Sequence, residues 1–74
     1  MTIRDFRMVY ASGGLVTLCD SRDGSGKCVF ENTPLIHADE TLARYDGCRL
    51  VGMYATTVRP EGRVFDDAVV VLHI

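Results

Sequence analysis

The stretch Cys19-Asp20-Ser21-Arg22-Asp23-Gly24-Ser25-Gly26-Lys27-Cys28 separates two apolar runs and carries the strongest turn signal in the chain. Asp-Gly is a favoured pair for the two-residue loop of a type I′ hairpin, because both central positions need positive φ. With Asp23-Gly24 as that loop, Arg22 faces Ser25, Asp20 faces Lys27 and Cys19 faces Cys28. Opposite charges and two thiols then match across the strands. Counting outward, Cys19 and Cys28 form a non-hydrogen-bonded pair, whose Cα atoms lie about 4.5 Å apart. That is near the short end of disulfide geometry. The pair reads as a cross-strand disulfide or as two packed thiols. With no charged n-region leading into an apolar stretch, the thiol form in a reducing cytoplasm is favoured. A longer loop with a bulge would break this register.

Working outward, residues 15–19 and 28–31 are the two strands of this hairpin. Before them, residues 3–11 read as a strand, with Phe6, Met8 and Tyr10 on one face at period two. Met1 and Thr2 are expected to fray, and Ser12-Gly13-Gly14 is a turn signal. After the hairpin, Asn32-Thr33-Pro34 ends the strand, since proline removes a ladder donor. Leu35, Ala38, Leu42 and Tyr45 then recur at helical spacing, with Thr33 or Asp39 as N-cap and Gly47 as the C′ glycine. A helix over about 38–46 follows. Residues 48–58 read as a long strand, apolar on both faces and interrupted by Gly52. Arg59-Pro60-Glu61-Gly62-Arg63 reads as a turn and 64–74 as the last strand, with Asp66-Asp67 marking a bulge or exposed stretch.

The expected order is β-β-β-α-β-β. It predicts an α+β fold with a strongly twisted, five-stranded antiparallel sheet and one short helix, in a single domain over residues 1–74. One short helix cannot cover both faces of such a sheet, yet Val69-Val70-Val71-Leu72 looks covered on both. Either the sheet closes as a small barrel or another chain covers it. The first option resembles the strand and helix order of an OB-fold. The second implies a homodimer or a dedicated protein partner.

Composition narrows the chemistry. The 74 residues carry ten acidic and eight basic side chains, a formal charge of −2, which is the wrong sign for non-specific nucleic-acid binding. An apolar share of 47% argues against disorder. There is no apolar run long enough for a membrane helix, and a soluble cytoplasmic protein is expected. Seven of the eight basic residues are arginine, a bias common in GC-rich bacterial or phage genes. Gly24-Ser25-Gly26-Lys27 fails the phosphate-loop pattern, with Ser21 in place of the leading glycine and Cys28 after the lysine. The three cysteines and His37 and His73 show no metal-ligand spacing, and no nucleophile elbow is present. No cofactor or catalytic residue is assigned, and a non-enzymatic protein is expected.

The charged residues are therefore read for binding. Glu61, Asp66 and Asp67 crowd one hairpin, with Arg59 and Arg63 flanking its turn, and Asp39-Glu40 opens the helix. Such carboxylates either keep the surface solvated or meet arginines on a partner and stand in for phosphates. In size and character the chain resembles the small inhibitors encoded by phages and mobile elements, such as anti-CRISPR or anti-restriction proteins. The resemblance implies an inhibitor or adaptor that docks on a larger host protein or nucleoprotein complex. The alternative is an OB-like module binding single-stranded nucleic acid through Arg4, Arg7 and Tyr10 on its first strand.

Overall fold

The hairpin read from the turn signal is present, and the remaining elements are arranged around it. The computed structural model describes residues 1–10 and 14–74. The expected strand end at Ala11 and the turn residues Ser12 and Gly13 lie outside that range. The elements run α1 (Ile3–Val9), β1 (Leu15–Asp20), β2 (Lys27–Pro34), α2 (Leu35–Ala43), β3 (Gly52–Val58) and β4 (Asp67–His73). The four strands form one sheet in the order β2-β1-β4-β3. β1–β2 and β3–β4 are antiparallel and β1–β4 is parallel. Among the described residues the sheet is thus mixed, with four strands rather than five, and it does not close: β2 and β3 are its edges.

The largest departure from expectation is α1. Thr2 is not frayed but is the N-cap, its hydroxyl accepting from the Asp5 N–H at 3.2 Å while the Asp5 carboxylate accepts from the Thr2 N–H at 2.9 Å. This reciprocal capping box satisfies two donors that a helix start leaves orphaned. The helical turn brings Ile3 and Phe6 into the core and stacks Phe6 on Tyr10 with ring centroids 4.8 Å apart. Met8, which the period-two reading placed beside Phe6, points to solvent. With the first strand gone, the barrel and the OB-like arrangement go too, because no strand remains to bridge the two edges.

α2 uses the expected face: Ala38 and Leu42 are buried, and Leu35 and Tyr45 pack against the same cluster. It starts three residues earlier than expected, with Pro34 at the N-cap, so neither Thr33 nor Asp39 caps it. Proline suits this position because the orphaned N–H is absent anyway. Gly47 takes no left-handed φ, and Arg44 is the C-cap instead. Both helices lie on one face of the sheet. Ile3, Phe6, Ala38 and Leu42 meet Val16, Leu18, Leu72 and Ile74 in the main core. On the other face Cys19, Val69 and Val71 are buried as a second cluster under Leu15, Cys28 and Val58. The β-branched run of β4 is therefore buried on both faces, as expected of a central strand.

The hairpin keeps the expected partners, Cys19↔Cys28 and Asp20↔Lys27. Its loop is different. Gly24 (φ +85°) and Gly26 (φ +66°) take the left-handed positions, whereas Asp23 does not, so the tight type I′ turn is replaced by a six-residue loop, 21–26. Asp23 accepts from the Ser25 N–H and hydroxyl instead, and Arg22 folds back on Asp20 rather than facing Ser25. Further along, the register shifts twice in β2. At the second shift Asn32 sits at φ +48°. Its N–H donates to the hydroxyl of Thr17 at 2.8 Å, which gives the bulged backbone a partner and explains a buried threonine.

Candidate interaction surface

The two helices leave part of the sheet uncovered. Met53 and Ala55 of β3 project to the helix face, because they pair with Leu72 and Val70. α1 does not reach over them. The result is a trough of about 420 Å³, lined by Met1, Phe6, Val9, Tyr10, Met53, Tyr54, Ala55 and Val70, with hardly any polar surface. Met1, Val9 and Met53 on its rim are all more than half exposed. α1 is held beside it by Arg7, whose guanidinium donates to both Asp39 oxygens (3.0 and 3.2 Å) and to both Asp46 oxygens (2.8 and 2.7 Å). These bonds raise the Arg7 pKa further above its usual range and lower that of Asp39.

A second exposed apolar element is the β3–β4 connection. The expected turn sits at 60–63, where the Arg63 N–H donates to the Pro60 carbonyl (3.0 Å) and Gly62 takes φ +80°. The loop runs on to residue 66, however, and Arg59 and Asp66 clasp its base at 2.9 Å. Val64 and Phe65, read from sequence as strand, protrude at 77% and 81% exposure.

The open face of the sheet carries the thiol pair. Cys19 and Cys28 are free thiols with their sulfurs 2.7 Å apart. They floor a shallow pocket of about 300 Å³ with Thr17, Glu31, Asn32, Tyr54 and Val71. The hydrogen bond with Cys19, then burial, then Glu31 push the Cys28 thiol well above its usual pKa. The third cysteine, Cys48, accepts from Arg22 at 3.1 Å. Among the described residues no group of His, Cys, Asp and Glu could hold a metal ion, and no helix is long and apolar enough to cross a membrane.

Of the residues singled out from sequence, the fold gathers Arg59, Glu61, Arg63, Asp66 and Asp67 on one hairpin, all but Asp67 exposed. Asp39 and Glu40 lie apart from them on α2, and Asp39 is engaged by Arg7. Arg4, Arg7 and Tyr10 do not form a strand-borne nucleic-acid surface. They lie on or just after α1, with Arg7 in ion pairs and Tyr10 against Phe6. Sequence reasoning missed Val64 and Phe65 and the whole trough. The signals were there: a Thr-x-x-Asp capping pattern at Thr2 and Asp5, and an acidic pair directly after Val64-Phe65. No family model, curated protein or solved structure matches this chain.

Proposed function

We propose that the protein works by binding another protein, as an inhibitor or adaptor without catalytic chemistry of its own, and that the β3–β4 hairpin tip is its docking element. One observation carries this reading: Val64 and Phe65 stand almost fully exposed at the end of a loop whose base is braced by an ion pair. They form an adjacent apolar pair on a loop otherwise built of charged residues, proline and glycine. An aromatic anchor ringed by charges is the composition of an interface hot spot, in which the apolar residue fills a pocket and the rim sets orientation. Glu61, Arg63 and Asp67 supply that rim together with Arg59 and Asp66. The chain's small size and net negative charge suit a cytoplasmic inhibitor of the phage or mobile-element kind, acting on a larger protein or nucleoprotein complex.

The test is capture from a lysate of the source cells, with wild-type chain and a Val64→Ser, Phe65→Ser double variant in parallel. Both sites are solvent-exposed, so the thermal midpoint of the variant should stay within a few degrees of wild type. A partner held by the wild type and lost by the variant supports the reading. Equal retention by both, or tight and salt-sensitive binding to a single-stranded oligonucleotide, overturns it.

A further inference from the structure

The two edges of the sheet are not alike. β2 carries Lys27, Glu31 and Pro34, shifts register twice and holds Asn32 in a left-handed conformation. Charges, proline and bulges are the features that stop another strand from adding to an edge. β3 has none of them. Its sequence is Gly-Met-Tyr-Ala-Thr-Thr-Val, its backbone takes no positive φ, and it pairs with β4 through seven successive one-to-one partners. Residues 53–57 are exposed. The outer row of backbone donors and acceptors on this strand forms a regular template, with the apolar trough directly beside it.

We propose that β3 is a self-pairing edge: two copies of this chain join β3 to β3 in antiparallel fashion about a twofold axis at Ala55, making one continuous eight-stranded sheet. In that register Ala55 faces Ala55 of the second copy, Tyr54 faces Thr56, Met53 faces Thr57 and Gly52 faces Val58. The smallest side chain of the central triplet lies on the axis, where two identical residues must fit together. No charge meets a like charge, because the strand has none. Side chains alternate, so Met53, Ala55 and Thr57 of both copies share the helix-side face. There they extend the trough across the seam, and Met1 and Val9 of each copy close over it.

A second copy is a better occupant than a foreign strand for a physical reason. Selection of one partner and one register is ordinarily carried by charges or shaped pockets along the strand. β3 carries no charge to select a foreign strand or fix its register, whereas a twofold contact needs only a patch complementary to itself, and the rims of two copies' troughs can cover one another. Dimerisation of this kind depends on protein concentration. The pairing is independent of the hairpin-tip reading. It sets the two tips to leave the sheet at opposite ends of the seam, since Val58 lies three residues from the axis in each copy.

The test is sedimentation velocity on the full chain from about 1 to 500 µM, a range that brackets micromolar dissociation. The wild type should pass from monomer to dimer. Met53→Lys with Thr57→Lys sets like charges opposite each other and should weaken self-association about tenfold or more. Met53→Glu with Thr57→Glu should do the same. An equimolar mixture of the two variants should recover the dimer, because Lys then faces Glu at each paired position. Thermal midpoints check that the variants fold, and Ala55→Arg, which meets its own copy on the axis, replaces any that does not. A wild type that stays monomeric throughout leaves the edge to an extended segment of another protein and overturns the proposal. So does a dimer that the variants leave intact, or a mixture that fails to recover.

Discussion

Replacing Phe6 and Met8 separately with alanine tests the docking of α1. Phe6 is 3% exposed and stacks on Tyr10, whereas Met8 is 74% exposed. Truncating a buried phenylalanine costs about 3–5 kcal/mol, of which the ring pair accounts for roughly 0.5–1.5 kcal/mol. A chain of this length has a total stability of about 4–11 kcal/mol at the usual yield per residue. Phe6→Ala therefore removes a large part of the stability, and at roughly 4–8 °C per kcal/mol the thermal midpoint falls by about 12 °C or more. Met8→Ala removes a side chain that touches little and should shift stability by no more than about 0.5 kcal/mol. A strand over the same residues makes the opposite forecast, since it puts Phe6 and Met8 on one buried face and both substitutions become costly. Urea denaturation at a shared m-value separates the two cases. Comparable losses above about 1 kcal/mol for both variants, or a negligible loss for Phe6→Ala, would refute a helix docked through Phe6.

Acid should destabilise the fold over a defined window. Hydrogen bonds from the Arg22 guanidinium and then its N–H hold the Asp20 carboxyl at a pKa of about 2, below the ordinary 3.8, and Arg7 lowers that of Asp39. A depressed folded-state value means that the unfolded chain takes up the proton first. The contribution of Asp20 is thus intact above about pH 4 and lost as pH falls toward 2. Thermal midpoints should decline over that range, less steeply in Asp20→Asn, and a flat profile would contradict the pairing. Gly24→Ala should cost about 1 kcal/mol, since a Cβ there meets nothing within 4 Å and only the φ of +85° opposes it. Gly47→Ala, with equal space and no left-handed φ, should instead stabilise by about 0.4–1 kcal/mol in the same denaturation assay. Native alkylation near neutral pH should reach Cys48 before Cys19, which is buried, and Cys28, whose thiolate is scarce. After treatment with hydrogen peroxide, which takes two thiol hydrogens to leave a disulfide and water, two fewer thiols should react on alkylation of the unfolded chain if the Cys19–Cys28 contact closes. Loss of Cys48 reactivity instead would assign the oxidation elsewhere.

What was legible in the sequence was local. The Cys19↔Cys28 and Asp20↔Lys27 partners could be read because matched charges and thiols lie a few residues either side of a glycine-containing loop. The inward face of α2 could be read because Leu35, Ala38, Leu42 and Tyr45 span three turns, long enough for one period to win. α1 could not be read from period alone. Over the eight residues 3–10, Phe6, Met8 and Tyr10 fit a strand as well as Ile3, Phe6 and Tyr10 fit a helix. What decides between them is a cap at Thr2 and an arginine whose partners lie 32 and 39 residues away in the chain. The parallel pairing of β1 with β4 is likewise long-range, and nothing in either strand announces it.

The candidate surface was half legible for a related reason. The sequence implies more apolar strand surface than one short helix can shield. The fold supplies two helices, and the surplus persists because of their length rather than their number. At 1.5 Å per residue α1 and α2 are about 10 and 14 Å long, whereas a seven-residue strand such as β4 runs to roughly 23 Å. α2 packs over β2 and β1 with α1 beside it, and β3, at the far edge of the sheet, is left partly bare. Adding a strand to this edge extends the template without lengthening either helix, and the rims of two troughs can then cover one another. The hairpin tip is a separate matter. Val64 and Phe65 lie past the end of the β3–β4 ladder, beyond the Arg59–Asp66 ion pair, and are exposed there. In the proposed β3 pairing the two tips are carried away from each other. The proposed β3 pairing thus leaves the tips free, so the proposed dimer and the proposed docking on another protein can be tested separately.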